Sequence, residues 1–394
     1  MPAPALNPDL VRVSPPPVME ARRWVAEAAL PEGVELLNLS QAAPVAPPPD
    51  SLLEALRAAV AEPASHLYGP VLGDPALREA IAAHWSALYG GRIGTGQVAV
   101  TAGCNEAFCT AVATLCGAGE EVLLPVPWYF NHRMWLEMWD ARPVPVPCDG
   151  AMLPDLDAVA EAIGPATRAL VMVTPNNPTG VAYPDDFLEA AFDLCAERGI
   201  ALVLDETYRD FHPGSGAPHP LFARERWEET LIHLYSFSKV YRLTGHRTGA
   251  LICGEARMAE AEKFLDTVTI CPPRMGQIGA LHGLERLDQW VAGERAEILG
   301  RRAALETMLA EALPGWRLRG AGAYFAWVEP PFDLPSDVLA RRLVSEAGVL
   351  LLPGTMFAPG TGDWGGDRAL RIAFANADAA GIGELGRRLA AFRP

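Results

Sequence analysis

Six short apolar runs constrain this chain more than any other feature. V-A-V-T from Val98, E-V-L-L-P from Glu121, A-L-V-M-V-T from Ala169, A-L-V-L-D from Ala201, L-I-H-L-Y from Leu231 and G-A-L-I-C from Gly249 are each bounded by turn residues, and helical segments intervene between most of them. A strand that is apolar at nearly every position must be covered on both faces. The pattern therefore predicts an α/β fold, with a largely parallel sheet between layers of helices. Ligands bind such sheets outside the carboxyl ends of the strands, so the residues after each run are the first place to look for chemistry.

The flanking segments suggest two domains. L-L-E-A-L-R-A-A-V-A after Ser51 and P-A-L-R-E-A-I-A-A-H-W after Asp74 have helical periodicity, and Asp74 before Pro75 supplies an N-cap and a first-turn proline. Upstream, Pro15-Pro16-Pro17 and Pro47-Pro48-Pro49 bracket a helix candidate from Val18 to Ala29, which reads as an arm crossing a surface. After Pro272-Pro273 a helical stretch from about Gln277 to Leu313 leads into shorter strand and helix signals. The 394 residues exceed the roughly 100 to 200 of an ordinary domain. We expect residues 1–45 to form an arm and part of a small domain, 46–275 a large ligand-binding domain, and 276–394 a small α+β domain.

A formal net charge of -16 opposes general binding to nucleic acid or anionic membranes. Seven cysteines, an odd number with no C-x-x-C pair, give no zinc or redox motif, and we expect no metal site. They read as reduced thiols. The N-terminal M-P-A-P-A-L-N-P-D-L lacks the charged and apolar regions of a signal peptide, and no apolar run reaches the roughly 18 residues of a membrane span. The expectation is a cytoplasmic protein with no membrane partner.

Chemistry concentrates after the strands. S-F-S-K-V-Y-R-L-T-G-H-R-T-G, from Ser236 to Gly249, sets two serines, Lys239 and, eight residues on, Arg247 in a turn-rich stretch. Hydroxyls and a guanidinium suit a phosphate dianion, and a lysine amine condenses with an aldehyde. Asp205 ends L-V-L-D, where a carboxylate is either a cap or a functional group needing a cationic or hydrogen-bonding partner, and Tyr208 comes three residues later. T-P-N-N-P-T-G, from Thr174 to Gly180, is a tight turn or a source of an amide at Asn177. T-A-G-C-N-E-A-F, from Thr101, places the amides of Gly103, Cys104 and Asn105 at a helix N-terminus, which attracts phosphate. P-V-P-W-Y-F, from Pro125, offers a flat ring.

In motif order and spacing, from N-L-S-Q-A-A-P through L-R-I-A-F-A, nearly the whole chain resembles the fold-type I pyridoxal-phosphate enzymes, and within them the class I/II aminotransferases. S-x-S-K with an arginine eight residues on, preceded by N-N-P-T-G and D-E-x-Y, carries the resemblance. It implies a large domain with a mostly parallel seven-stranded sheet, a smaller α+β domain, and a homodimer with active sites at the interface. Lys239 would hold pyridoxal 5'-phosphate as a Schiff base and shuttle the proton. Asp205 would pair with the pyridine nitrogen, Tyr208 and Asn177 would hold the phenolic oxygen, and Tyr129 would stack on the ring. Gly103, Cys104, Asn105, Ser236, Ser238 and Arg247 would bind the phosphate, with Tyr68 reaching that of the neighbouring subunit. Arg371, in L-R-I-A-F, would fork onto the substrate α-carboxylate, beside Asn177 and Ala42. Two positions depart from the family pattern: Ala42 stands where the family often has a glycine, adding a methyl near the carboxylate site, and Cys104 stands where Ala or Ser is commoner.

The implied reaction is ping-pong transfer of an amino group between an L-amino acid and a 2-oxo acid. A lyase or synthase of the same fold would share Lys239 and Arg371. A non-catalytic pyridoxal-binding regulator would need a basic DNA-binding domain ahead of the first motif. For the substrate side chain two signals compete. Arg274, in C-P-P-R-M-G, would serve a dicarboxylate or else an interface, whereas Trp24, Trp128 and Tyr68 would suit an aromatic or large neutral group.

Overall fold

The computed structural model describes residues 4–41, 43–214 and 216–394. Thirteen strands lie among them. In chain order these are β1 (Leu37–Asn38), β2 (Val98–Thr101), β3 (Glu121–Val126), β4 (Arg142–Pro147), β5 (Thr167–Val173), β6 (Ala201–Asp205), β7 (Leu231–Ser236), β8 (Gly249–Ile252), β9 (Arg317–Gly322), β10 (Phe325–Glu329), β11 (Val349–Leu350), β12 (Leu352–Pro353) and β13 (Leu370–Ile372). The six apolar runs are β2, β3, β5, β6, β7 and β8. They form a seven-stranded sheet in the order β2-β8-β7-β6-β5-β3-β4. All neighbours are parallel except β8, which runs antiparallel to both β2 and β7.

The seventh strand, β4, has the sequence R-P-V-P-V-P and sits at the sheet edge, paired with β3 alone. Backbone N–H groups alternate sides along a strand, so prolines two apart withhold their missing hydrogens from the same side. Arg142 donates its N–H toward β3, to Glu120 O at 2.7 Å, which turns the nitrogens of Pro143, Pro145 and Pro147 outward.

Helices cover both faces. On one, Leu170, Leu202 and Leu204 pack with Leu77, Trp85 and Leu284. On the other, Val122, Val171 and Val203 pack with Phe108, Met258 and Leu265. The order of strands reverses beside β3 and β5, where the chain first runs outward to β4 and then returns. Such a reversal opens a crevice at the carboxyl ends of the strands.

The C-terminal part carries an antiparallel sheet in the order β12-β13-β10-β9, and β1 of the arm pairs in parallel with β11. A third core joins Ala21, Trp24 and Leu39 to Leu305, Trp327, Leu343 and Phe374, so the arm is packed onto this C-terminal unit. The arm helix spans Pro17–Glu27, with Pro17 in the first turn. Asp74 caps helix Pro75–Tyr89 by accepting from Ala76 N at 3.1 Å.

The stretch read as one helix from Gln277 to Leu313 is two, Arg274–Arg286 and Asp288–Ala312. They meet at Leu287, which leaves helical geometry (φ −112°, ψ 15°) with its side chain buried in the large-sheet core. The second helix then spans the two units. Its Trp290 and Val291 pack with the large-sheet core, and its Ile298, Leu305 and Leu309 with the third core. All seven cysteines are free.

Candidate active site

Five segments that leave the large sheet converge on one cavity of about 260 Å³. Cys104 and Asn105 follow β2, Tyr129 follows β3, Asn177 follows β5, Asp205, Thr207 and Tyr208 end or follow β6, and Ser236, Ser238 and Lys239 end or follow β7; Arg247 precedes β8, and Gln41, Asn131 and Val173 complete the lining. Ten residues singled out in the sequence are therefore brought together.

Lys239 lies in the short helix Phe237–Val240, whose N-cap Ser236 accepts from Ser238 N at 3.3 Å. Burial, then the positive charges of Arg247 and Arg371, lower its pKa to about 8. Arg247 reaches Ser238 Oγ at 3.4 Å and Thr244 O at 3.1 Å. Gly103 caps helix Cys104–Ala113 at φ 90°, and a Cβ there would overlap the Arg247 guanidinium. Gly249 is tied to the same place, since its Cβ would stand 2.6 Å from Gly103 C and 2.7 Å from Cys104 N. Two glycines thus let a helix N-terminus, two serines and an arginine face one small volume.

Asp205 is 4% exposed. Its Oδ1 accepts from Thr207 N at 2.9 Å, and His132 Nε2 lies 3.4 Å from its Oδ2. Burial works to raise the Asp205 pKa, but the hydrogen bond and charge of His132, joined by Thr207, bring it below the ordinary value. His132 is stacked on Phe108 with ring centres 4.0 Å apart and stands edge-on to Tyr129 at 5.0 Å. The Tyr129 hydroxyl accepts from Asn131 Nδ2 at 2.8 Å. Burial, ahead of neighbouring charges, pushes the Tyr208 hydroxyl well above its ordinary pKa.

Arg371 lies on β13, behind the cavity wall. It is 2% exposed. Its Nη1 donates to Asn177 Oδ1 at 2.8 Å and its Nη2 to Ser40 O, while its Nε has no partner among the described residues. Phe325 and Phe357 flank the guanidinium at 4.7 and 4.8 Å. Burial lowers its pKa to about 10, against the opposing influence of Tyr208 and Tyr129. The neighbouring residue Asn176 builds the turn that delivers Asn177, accepting from Thr179 N at 3.0 Å and donating to Tyr183 Oη at 3.2 Å.

Other sequence candidates lie elsewhere. Tyr68 is 80% exposed on the surface of its own chain. Ala42 falls outside the described residues. Arg274 pairs with Asp74 at 3.3 Å and is absent from the cavity lining. Trp24 is buried in the third core with Arg341 over its ring, and Trp128 is buried beside Arg133. Sequence reasoning passed over His132, Thr207 and Asn131. A lone histidine in a helix of mixed polarity gives no local hint that Asp205, far along the chain, will lie beside it.

Residues 34–389 match the family model for aminotransferase class I and II. An aromatic aminotransferase of Arabidopsis thaliana is 30% identical over 354 residues, covering 86% of this chain and 85% of that protein. A valine–pyruvate aminotransferase of Mycobacterium tuberculosis is 30% identical over 401 residues, covering 98% of each. The solved aspartate aminotransferase of Thermus thermophilus with maleate superposes with a TM-score of 0.89 at 25% identity, covering 98% of this chain and 99% of that one. This chain belongs to the class I and II aminotransferases and is a transaminase.

Proposed function

We propose that the chain transfers an amino group between an L-amino acid and a 2-oxo acid in a ping-pong cycle, with pyridoxal 5'-phosphate held in the cavity at Lys239. The observation that carries this reading is the joining of a half-buried lysine, its pKa lowered to about 8, to a buried carboxylate and the helix N-terminus after Gly103 in one cavity. The donor set fits the cofactor group by group: an amine for its aldehyde, the Asp205 carboxylate for its ring nitrogen, and Ser236, Ser238, Arg247 and the amides after Gly103 for its phosphate. Tyr129 supplies a ring face, and Tyr208 and Asn177 polar groups for the phenolic oxygen. When bound, the cofactor supplies an electron-withdrawing ring that stabilises negative charge at the substrate Cα.

The chain's own residues orient and protonate. Arg371 offers a buried guanidinium whose Nε is unengaged among the described residues, and a buried cation in that state favours a carboxylate. Holding the α-carboxylate there fixes which bond at Cα faces Lys239. At pH 7 a group titrating at about 8 is neutral in roughly a tenth of molecules, enough to accept the Cα proton and return it. Asp205, kept ionised by His132 and Thr207, holds positive charge on the ring side.

We further propose a homodimer in which Tyr68, exposed in its own chain, completes the partner's phosphate site. Residues 46–275 and 276–394 then act as the large and small domains around the cavity. A cytoplasmic location accords with the finding that no described helix is long and apolar enough to cross a membrane.

The test is a half-reaction. Protein loaded with pyridoxal 5'-phosphate and given one amino acid without acceptor should lose its visible absorbance band and form one equivalent of keto acid per site; a 2-oxo acid should restore the band. Continuous keto acid with release of ammonia and no acceptor would point to a lyase instead. Lys239→Ala should lack both the band and a borohydride-reducible adduct.

A further inference from the structure

Asp205 and Glu206 are adjacent in sequence but serve opposite faces of the large sheet, because side chains alternate along a strand. Asp205 continues the face of Ala201 and Val203, which pack with Cys104 and Phe108. Glu206 continues the face of Leu202 and Leu204, which pack with Trp85 and Tyr89. There Glu206 is 1% exposed. Its Oε2 receives the Tyr89 hydroxyl, His219 Nε2 at 3.1 Å and His233 Nε2 at 2.7 Å.

The donors are fixed in sense. His219 Nδ1 accepts from Leu221 N at 3.2 Å, so its proton sits on Nε2. His233 has no partner for Nδ1 among the described residues, which leaves Nε2 to carry its proton too. Burial opposes ionisation of Glu206, but His219 and His233 hold its pKa well below the ordinary carboxylate range.

The same face anchors Arg209 and Asp210. Arg209 Nη1 donates to Tyr89 Oη at 3.3 Å, and its guanidinium rests against two rings, Trp85 at 3.7 Å and Tyr235 at 4.4 Å. Tyr235 donates to Asp210 Oδ2. Within one short segment, Asp205, Thr207 and Tyr208 line the cavity, while Glu206, Arg209 and Asp210 are tied down behind it. Stability alone does not call for this arrangement, since well-packed apolar residues of similar volume usually stabilise a fold as much as a buried ionic cluster does. Three directional hydrogen bonds converging on one carboxylate oxygen add one defined geometry.

We propose that Glu206, through Tyr89, His219 and His233, is a positioning residue: from behind the sheet it fixes the Asp205–Tyr208 segment, so that the Asp205 carboxylate stands where the cofactor's ring nitrogen arrives. The proposal rests on the pairing of Asp205 with that nitrogen under the proposed function. Glutamine at 206 would remove the negative charge that strengthens all three of these hydrogen bonds and bring an NH2 that needs an acceptor of its own, loosening the segment.

The experiment measures pyridoxal 5'-phosphate binding to apo-protein, the pH midpoint of the bound cofactor's visible band, and kcat and KM for the amino donor. Glu206→Gln should weaken cofactor binding about tenfold, move the spectral midpoint, and lower kcat with KM changed less than twofold. Tyr89→Phe removes one donor while keeping the ring, and should act in the same direction by a smaller factor. It carries the test alone if Glu206→Gln does not fold. Variants that melt at lower temperature but keep wild-type cofactor affinity, spectral midpoint and kcat overturn the positioning role. Asp205→Asn separates the two claims: unchanged affinity and midpoint in that variant sink the reading of Asp205 itself, whatever Glu206 does.

Discussion

Lys239 gives the most quantitative expectation. Condensation with an aldehyde needs the neutral amine, so the rate at which apo-protein takes up pyridoxal 5'-phosphate should track the neutral fraction. With a pKa of about 8, that fraction rises from roughly 0.1 at pH 7 to roughly 0.9 at pH 9, about tenfold, and then flattens. A lysine at the ordinary 10.5 would give about a hundredfold rise over the same range with no plateau. Stopped-flow absorbance at fixed ionic strength distinguishes the two curves. A log rate that climbs linearly through pH 9.5 would falsify the claim that burial and two arginines depress this group. Arg247→Gln removes the second-ranked cause and should shift the bend toward higher pH. The linked effect on stability has a definite sign: between about 8 and 10.5 the unfolded chain holds the proton that the folded chain has lost. Lys239 therefore contributes stability that grows as pH rises through that window, read as the difference between apo-protein and Lys239→Met, while thiols pushed up by burial, such as Cys109 and Cys148 at about 12, act on the whole protein in the opposite sense.

Two substitutions probe geometry. Arg371→Lys keeps the charge but loses the planar fork held by Asn177 and Ser40; kcat/KM for the amino donor should fall about a hundredfold in single-turnover assays while cofactor affinity stays within threefold. Gly180 has φ 77°, and a Cβ there would strike Gly322 N and Phe325 O, both backbone atoms. Gly180→Ala should destabilise the protein by about 3 kcal/mol in denaturant titration, a figure that an unchanged midpoint would refute.

The sheet was legible because its strands are buried on both faces and so are apolar throughout. β4 was not, since three prolines in six residues read as a breaker and only an edge position makes them compatible with a strand. At the site, the residues nearest strand ends declared themselves through local motifs: Lys239 with its serines, Asp205 after Leu204, Asn177 in its turn. His132 and Glu206 did not. Each acts through partners distant in sequence, and nothing local separates a histidine that meets Asp205 from one that fills a core. The break at Leu287 was hidden for a related reason, because Gln277 to Leu313 has helical composition throughout and the chain turns only to bury one leucine.

The outward prolines of β4 bear on how this molecule behaves among its own copies. A strand docking onto a free sheet edge needs both donors and acceptors in alternation. Along this edge Pro143 and Pro145 expose carbonyl oxygens but no N–H, and the carbonyl of Pro147 is already taken by Asp155 N at 2.9 Å. An incoming strand would find every second rung missing. At this edge the sheet is thereby terminated chemically, at the covalent level of the pyrrolidine ring, and a crowded population lacks this edge as a route to strand-on-strand aggregation.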